Sequence, residues 1–94
     1  MDEGLELYEV VKEFIVTLED YEEPIRGRVL KNLYTDSEFK YKWEVSHYYR
    51  PSEDAATVYY PDNRLARDFE GCKNVMFYYL KGFVNIDIKK NKYY

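Results

Sequence analysis

Hydrophobic and polar positions alternate in distinct ways along this chain, and each pattern predicts an element. Leu7, Val11, Phe14, Ile15, Leu18 and Tyr21 recur at three- and four-residue spacing, with Glu6, Glu9, Glu13 and Asp20 between them. That spacing predicts an amphipathic helix over residues 4–22, with an acidic outer face and a stop at Pro24. From Phe39 to Tyr49 the period changes to two. Phe39, Tyr41, Trp43, Val45, His47 and Tyr49 alternate with Lys40, Lys42, Glu44, Ser46 and Tyr48. This predicts a strand with one buried face, preceded by a partner strand over 28–34 and a turn at Thr35-Asp36-Ser37. Pro51-Ser52-Glu53-Asp54 predicts a loop, and Thr57 to Tyr60 a short strand.

Two further elements are expected downstream. Leu65, Ala66 and Phe69 favour a short helix over 62–70 rather than a polar loop, with Asp62 or Asn63 as N-cap and Gly71 as its stop. Lys81-Gly82 is the expected two-residue turn of a final hairpin over 75–89. In that register Val75, Phe77, Tyr79, Val84, Ile86 and Ile88 share a core face. Met76, Tyr78, Leu80 and Phe83 then form an apolar patch on the other face, covered internally or used as an interface. The Lys89–Tyr94 tail is expected to be frayed.

Together these elements predict an α+β fold: an N-terminal amphipathic helix packed on one face of a four- to five-stranded antiparallel sheet. Its 94 residues, nearly half apolar and a fifth aromatic, suit one domain over 1–94 with a dense core. The opening Met1–Gly4 has neither the basic nor the apolar region of a signal peptide, and no apolar run is long enough to span a bilayer. One cysteine, Cys72, admits no internal disulfide. These features predict a cytoplasmic protein.

Charge is segregated. Residues 1–25 carry nine acids against Lys12 alone, a net −8, whereas the remaining residues carry nine acids and thirteen bases, a net +4. Such asymmetry predicts a strongly negative side.

Candidate chemistry is sparse. His47 shares its phase with Trp43 and Val45, which predicts a core histidine with a hydrogen-bond partner rather than a general base. One histidine and one cysteine do not make a zinc site, and four scattered glycines do not make a phosphate loop. No cofactor, metal or catalytic residue is therefore expected. Twelve tyrosines occur, eight of them in adjacent pairs. Strand geometry sends Tyr49 and Tyr79 inward and Tyr48 and Tyr78 outward, where tyrosine suits an interface.

The leading expectation is a small acidic protein-binding module that inhibits a nucleic-acid-processing enzyme by occupying its basic surface. Its profile (small, acidic, aromatic-rich, without a motif) is similar to that of phage-encoded anti-defence inhibitors, of anti-CRISPR or anti-restriction type, and of toxin-immunity proteins. The expected partner-binding residues are Glu6, Glu9, Glu13, Asp20, Tyr48, Met76, Tyr78, Leu80 and Phe83. The partner would be another protein with a basic surface, or a second copy in a homodimer. The alternatives are a structural subunit of a homo-oligomer and a single-stranded nucleic-acid-binding domain. The latter would use exposed tyrosines with Lys40, Lys42, Lys73, Lys81 and the lysine tail.

Overall fold

In a computed structural model, which describes residues 6–62 and 64–94, the chain is α+β, but its helix follows the main strands. Tyr8–Leu18 (β1) and Tyr21–Asn32 (β2) form a long antiparallel hairpin. Tyr41–Val45 (β3) pairs with β2, and Leu65–Ala66 (β5) pairs with β3, giving a four-stranded antiparallel sheet of order β1-β2-β3-β5. His47–Tyr48 (β4) and Lys89–Lys90 (β6) form a separate two-stranded ribbon. The one helix among the described residues, Phe69–Lys81 (α1), packs on one face of the larger sheet. None is long and apolar enough to cross a membrane.

The expected helix over 4–22 is therefore corrected to a strand, a turn and the start of a second strand; residues 4 and 5 lie outside the described residues. Val10, Val11, Ile15, Val16 and Thr17 are all β-branched, a composition that favours strand over helix. Helical spacing arose from an irregularity. The pairing with β2 shifts between Val10 and Lys12 and again between Val16 and Leu18. A bulge inverts the alternation, so apolar residues on both faces of β1 imitate a period near 3.6. Pro24 falls within β2, beyond the stretch paired with β3.

The hairpin expected over 75–89 is likewise corrected to the helix α1 and a following loop. Asp68 caps the helix by accepting from the Gly71 amide at 2.7 Å. Gly71 is thus inside the helix, and the helix expected over 62–70 is replaced by β5 and this cap; Asn63 lies outside the described residues. Cys72, Met76, Tyr79, Leu80 and Phe83 recur at helical spacing and are all buried. The expected patch of Met76, Tyr78, Leu80 and Phe83 does not exist: three of the four enter the core, and Tyr78 is 79 % exposed. Val75, expected inside, is exposed.

Two glycines permit close approach. A Cβ on Gly27 would lie 2.9 Å from both Leu80 Cδ1 and Met76 Sδ, so the bare strand lets α1 settle onto β2. A Cβ on Gly82 would meet the Tyr49 hydroxyl at 2.6 Å. Gly82 serves packing at the helix C-cap rather than a hairpin turn.

The strand expected over 39–49 is present from Tyr41 as β3 and β4, broken at Ser46 into two sheets, with Trp43, Val45, His47 and Tyr49 buried as the alternation requires; Phe39, expected on the buried face, precedes the strand and is exposed. The stretch 57–60 contributes one bridge, Tyr49 with Tyr59. Ile25, Val29, Trp43, Val45, Tyr49, Cys72, Met76, Tyr79, Leu80 and Phe83 form the core, with Phe14, Val16 and Leu18 packed against it.

His47 is buried and hydrogen-bonded. Ser46 Oγ accepts from the Arg26 amide and lies 2.7 Å from His47 Nδ1, while Nε2 lies 3.3 Å from Glu23 Oε2. Ser46 and Glu23 thus give both ring nitrogens of His47 a hydrogen-bond partner. Glu23 also meets Lys90 at 3.0 Å. The Lys90 hydrogen bond, aided by His47 and opposed by partial desolvation, holds its carboxyl below the ordinary 4.5. A lowered folded-state pKa adds stability above the ordinary value, and that stability is lost as pH falls through the folded one. Glu23→Gln is therefore expected to lower the urea midpoint at pH 7, with the deficit shrinking below about pH 4.5. A deficit constant from pH 7 to pH 3 would show that the carboxylate's charge plays no part.

Candidate protein-binding surface at the edge of the sheet

Among the described residues β1 pairs with β2 alone, so its other side offers unpaired backbone groups. Eleven residues is long for an edge. Its second half, Phe14-Ile15-Val16-Thr17-Leu18, has high strand propensity and no charge, the type of segment that proteins ordinarily shield.

Beside this half-strand lies an apolar cleft of about 370 Å³, lined by Phe14, Ile15, Val16 and Leu18 from β1 and by Phe77, Leu80, Lys81 and Phe83 from the end of α1. The rings of Phe14 and Phe77 meet edge-to-face, 4.8 Å apart. Ile15 is 56 % exposed. Lys81 supplies the one charged side chain of the lining. The cleft exists because α1 sits over the centre of the sheet, drawn down at Gly27, and leaves β1 partly uncovered.

Immediately beyond Leu18, the β1–β2 turn carries Glu19 and Asp20 and the start of β2 carries Glu22, all exposed and without ion-pair partners among the described residues. Asn85 Nδ2 donates to the Asp20 carbonyl at 2.6 Å, tying this acidic tip to the loop after α1.

The four carboxylates expected on one helical face are separated. Glu9 lies opposite Lys31 and Glu13 opposite Arg28. Arg28 and Lys31 differ in phase, so the two acids point to opposite faces of the sheet. Glu13 pairs with Arg26 at 3.2 Å and accepts a hydrogen bond from the Tyr94 hydroxyl. Glu6 is exposed just before β1, and Asp20 belongs to the tip. Part of the segregated charge is thus consumed internally, by Glu13–Arg26 and Glu23–Lys90.

The face of the sheet opposite α1 is polar and internally paired. Arg28 gives Nε and Nη2 to Glu44 Oε1 at 3.0 and 2.8 Å, and Tyr94 lies 4.2 Å over the guanidinium. Lys42 Nζ sits 4.2 Å from the Tyr8 ring. Lys42 also lies 3.7 Å from Glu44 Oε2, so Arg28 and Lys42 share one carboxylate.

Cys72 is enclosed, and burial pushes its thiol up to about 11, which keeps it protonated and unreactive at neutral pH. Tyr48 is half-buried against Tyr60, edge-to-face at 4.9 Å.

Of the expected partner-binding residues, the structure brings Leu80 and Phe83 to the cleft, as its floor rather than an exposed patch, and Asp20 beside it. Met76 is enclosed in the core, and Tyr48 and Tyr78 lie outside the cleft lining. The residues that sequence reasoning missed are Phe14, Ile15, Val16 and Leu18 as an open edge. Their signal was the uncharged β-branched run before Glu19-Asp20. No protein-family model, curated protein or solved structure matches this chain.

Proposed function

We propose that this chain is a non-enzymatic protein-binding module that takes an extended segment of a partner protein against β1. One observation carries the reading: an uncharged five-residue edge lies directly beside an apolar cleft. A strand added to such an edge gains main-chain hydrogen bonds, and alternate side chains of that strand enter the cleft. The acidic tip at one end specifies the partner's chemistry, an apolar strand flanked by Lys or Arg. Unpaired carboxylates there raise the rate of encounter with a basic surface.

Nucleic-acid-processing enzymes carry basic surfaces of this kind. The specific form of the proposal is thus inhibition of such an enzyme in the cytoplasm by occupying that surface, as an anti-defence or immunity protein does. Support for it consists of the acidic tip and the docking edge.

Ile15→Lys tests the reading. A charge on an exposed edge blocks strand addition, and surface substitutions change stability by about 0.5 kcal/mol or less. Affinity capture with the parent chain and with Ile15→Lys, compared quantitatively, is expected to show a basic protein at least tenfold depleted by the variant. Glu19→Gln with Asp20→Asn and Glu22→Gln is expected to slow its association and flatten the salt dependence. If Ile15→Lys retains every partner of the parent, strand addition at β1 is wrong. A concentration-dependent dimer abolished by Ile15→Lys would identify the occupant as a second copy instead.

A further inference from the structure

We propose that the cleft beside the β4–β6 ribbon is a binding site for single-stranded nucleic acid, separate from the β1 edge. It has a volume of about 290 Å³ and is lined by Tyr48, Tyr60, Lys89, Lys90, Asn91, Lys92 and Tyr93. Three tyrosines and three lysines thus contribute to its lining, with Lys90 in phase with His47 and turned to Glu23, on the other face of the ribbon from Tyr48 and Lys89.

Its construction follows from register. Tyr48 pairs with Lys89 and His47 with Lys90 across the ribbon. The Tyr49–Tyr59 bridge then sends Tyr48 and Tyr60 to the same side, where their rings meet. The tail that carries the lysines is not frayed. The Asn91 amide donates to Ser46 O and its Nδ2 to Val45 O, both at 2.8 Å, and its Oδ1 accepts from the Tyr93 amide at 3.0 Å. Asn91 therefore clamps the tail to the sheet and sets Lys89, Lys92 and Tyr93 in place, so less ordering entropy opposes a ligand.

The charges show what is left for a ligand. Glu23 neutralises Lys90 at 3.0 Å. Lys89 Nζ donates to the Tyr60 hydroxyl at 3.2 Å, and Lys92 lies 5.1 Å from the Tyr93 ring. Neither has a carboxylate partner among the described residues. Two cations without carboxylate partners, each beside a tyrosine ring, match a ligand that alternates planar faces with negative charge. Single-stranded nucleic acid has that chemistry: bases stack on aromatic side chains while lysines follow the phosphates. An acidic peptide has the charge without the planar faces. The net charge of −4 opposes binding at long range, but screening confines it to about 10 Å at 0.1 M salt. Among the described residues, Glu23 is the one carboxylate paired with the cleft's lysines.

The test is fluorescence anisotropy of a fluorescein-labelled oligothymidine from about 0.1 M salt upward, where that screening holds, with the full chain. Saturable binding is expected. Tyr93 is 79 % exposed, so Tyr93→Ala leaves the fold intact; it is expected to weaken binding at least about fivefold, the loss of one stacked base. Lys92→Ala should reduce the slope of log affinity against log salt by about 0.7, one phosphate contact on a single strand. Ile15→Lys should bind as the parent does, which separates this site from strand addition at β1. The proposal is overturned by no saturable binding, by unchanged affinity in Tyr93→Ala, or by displacement with polyglutamate at equal potency per charge.

Discussion

Tyr79→Ala is expected to lower the unfolding free energy by about 3–5 kcal/mol, the range for truncating a large buried aromatic. Tyr79 joins the helix to the rest of the core. Its ring touches Trp43 at 5.7 Å, Tyr49 at 5.0 Å and Tyr59 at 5.0 Å between centroids. Its hydroxyl donates to the Tyr59 carbonyl at 2.7 Å, and its own carbonyl accepts from the Tyr49 hydroxyl at 3.1 Å. Burial holds the phenol well above the ordinary range and therefore protonated, as that donation requires. At about 0.05–0.15 kcal/mol per residue, a chain of this length has a total stability on the order of 5–14 kcal/mol, so the variant loses about a fifth or more. Tyr79→Phe keeps the packing and removes one hydrogen bond, for a loss of about 0.5–1.5 kcal/mol. Urea denaturation of both variants decides the matter. Equal losses would mean that the hydroxyl carries the effect and that the ring packing is misassigned.

The second large effect is expected at Phe83, where Phe83→Ser should cost about 3–5 kcal/mol while Tyr78→Ser changes stability by about 0.5 kcal/mol or less. Phe83 is buried beneath Tyr49, with ring centroids 4.4 Å apart, and also meets Tyr79 edge-on. Tyr78 points to solvent from the opposite side of the helix. A hairpin turning at Lys81-Gly82 would place the two residues on one face and make their substitutions equivalent. Similar losses for both variants would therefore contradict the helix, whereas a large asymmetry is what its period requires. The same measurement bears on the cleft. Phe83 forms part of its floor, so binding assays at the β1 edge need Ile15→Lys rather than a core substitution.

Signals for the helix were present between residues 68 and 83. Asp68 stands three residues before Gly71, and Phe69, Cys72, Met76, Tyr79, Leu80 and Phe83 keep a period near 3.6. The same segment also alternates as Val75, Phe77 and Tyr79, and the Lys81-Gly82 dipeptide suggests a turn. Aromatic and apolar residues crowd this stretch so densely that both periods find matches. What excludes the strand is the partner surface. Gly27 opens a place on β2 for a helix, and Gly82 must come within reach of the Tyr49 hydroxyl.

Local alternation by itself determined the burial of Trp43, Val45, His47 and Tyr49, the outward course of Lys42, Glu44 and Tyr48, and the need of His47 for a polar partner. Those residues occupy strands with one face toward the core, where a period of two has one reading. Tyr79 inward and Tyr78 outward also followed from the sequence, although the element was a helix, because adjacent side chains diverge in both geometries. Only the tertiary structure decided the rest. β1 became a strand because a bulge lets Phe14, Val16 and Leu18 reach the core while the backbone pairs with β2, a long-range match that no local window contains. The cleft beside β1 and the lysine–tyrosine cleft each join segments distant in sequence, whereas the edge and its acidic tip are contiguous. The chemistry of both clefts was visible residue by residue, but the concavities formed only when the fold brought those residues together.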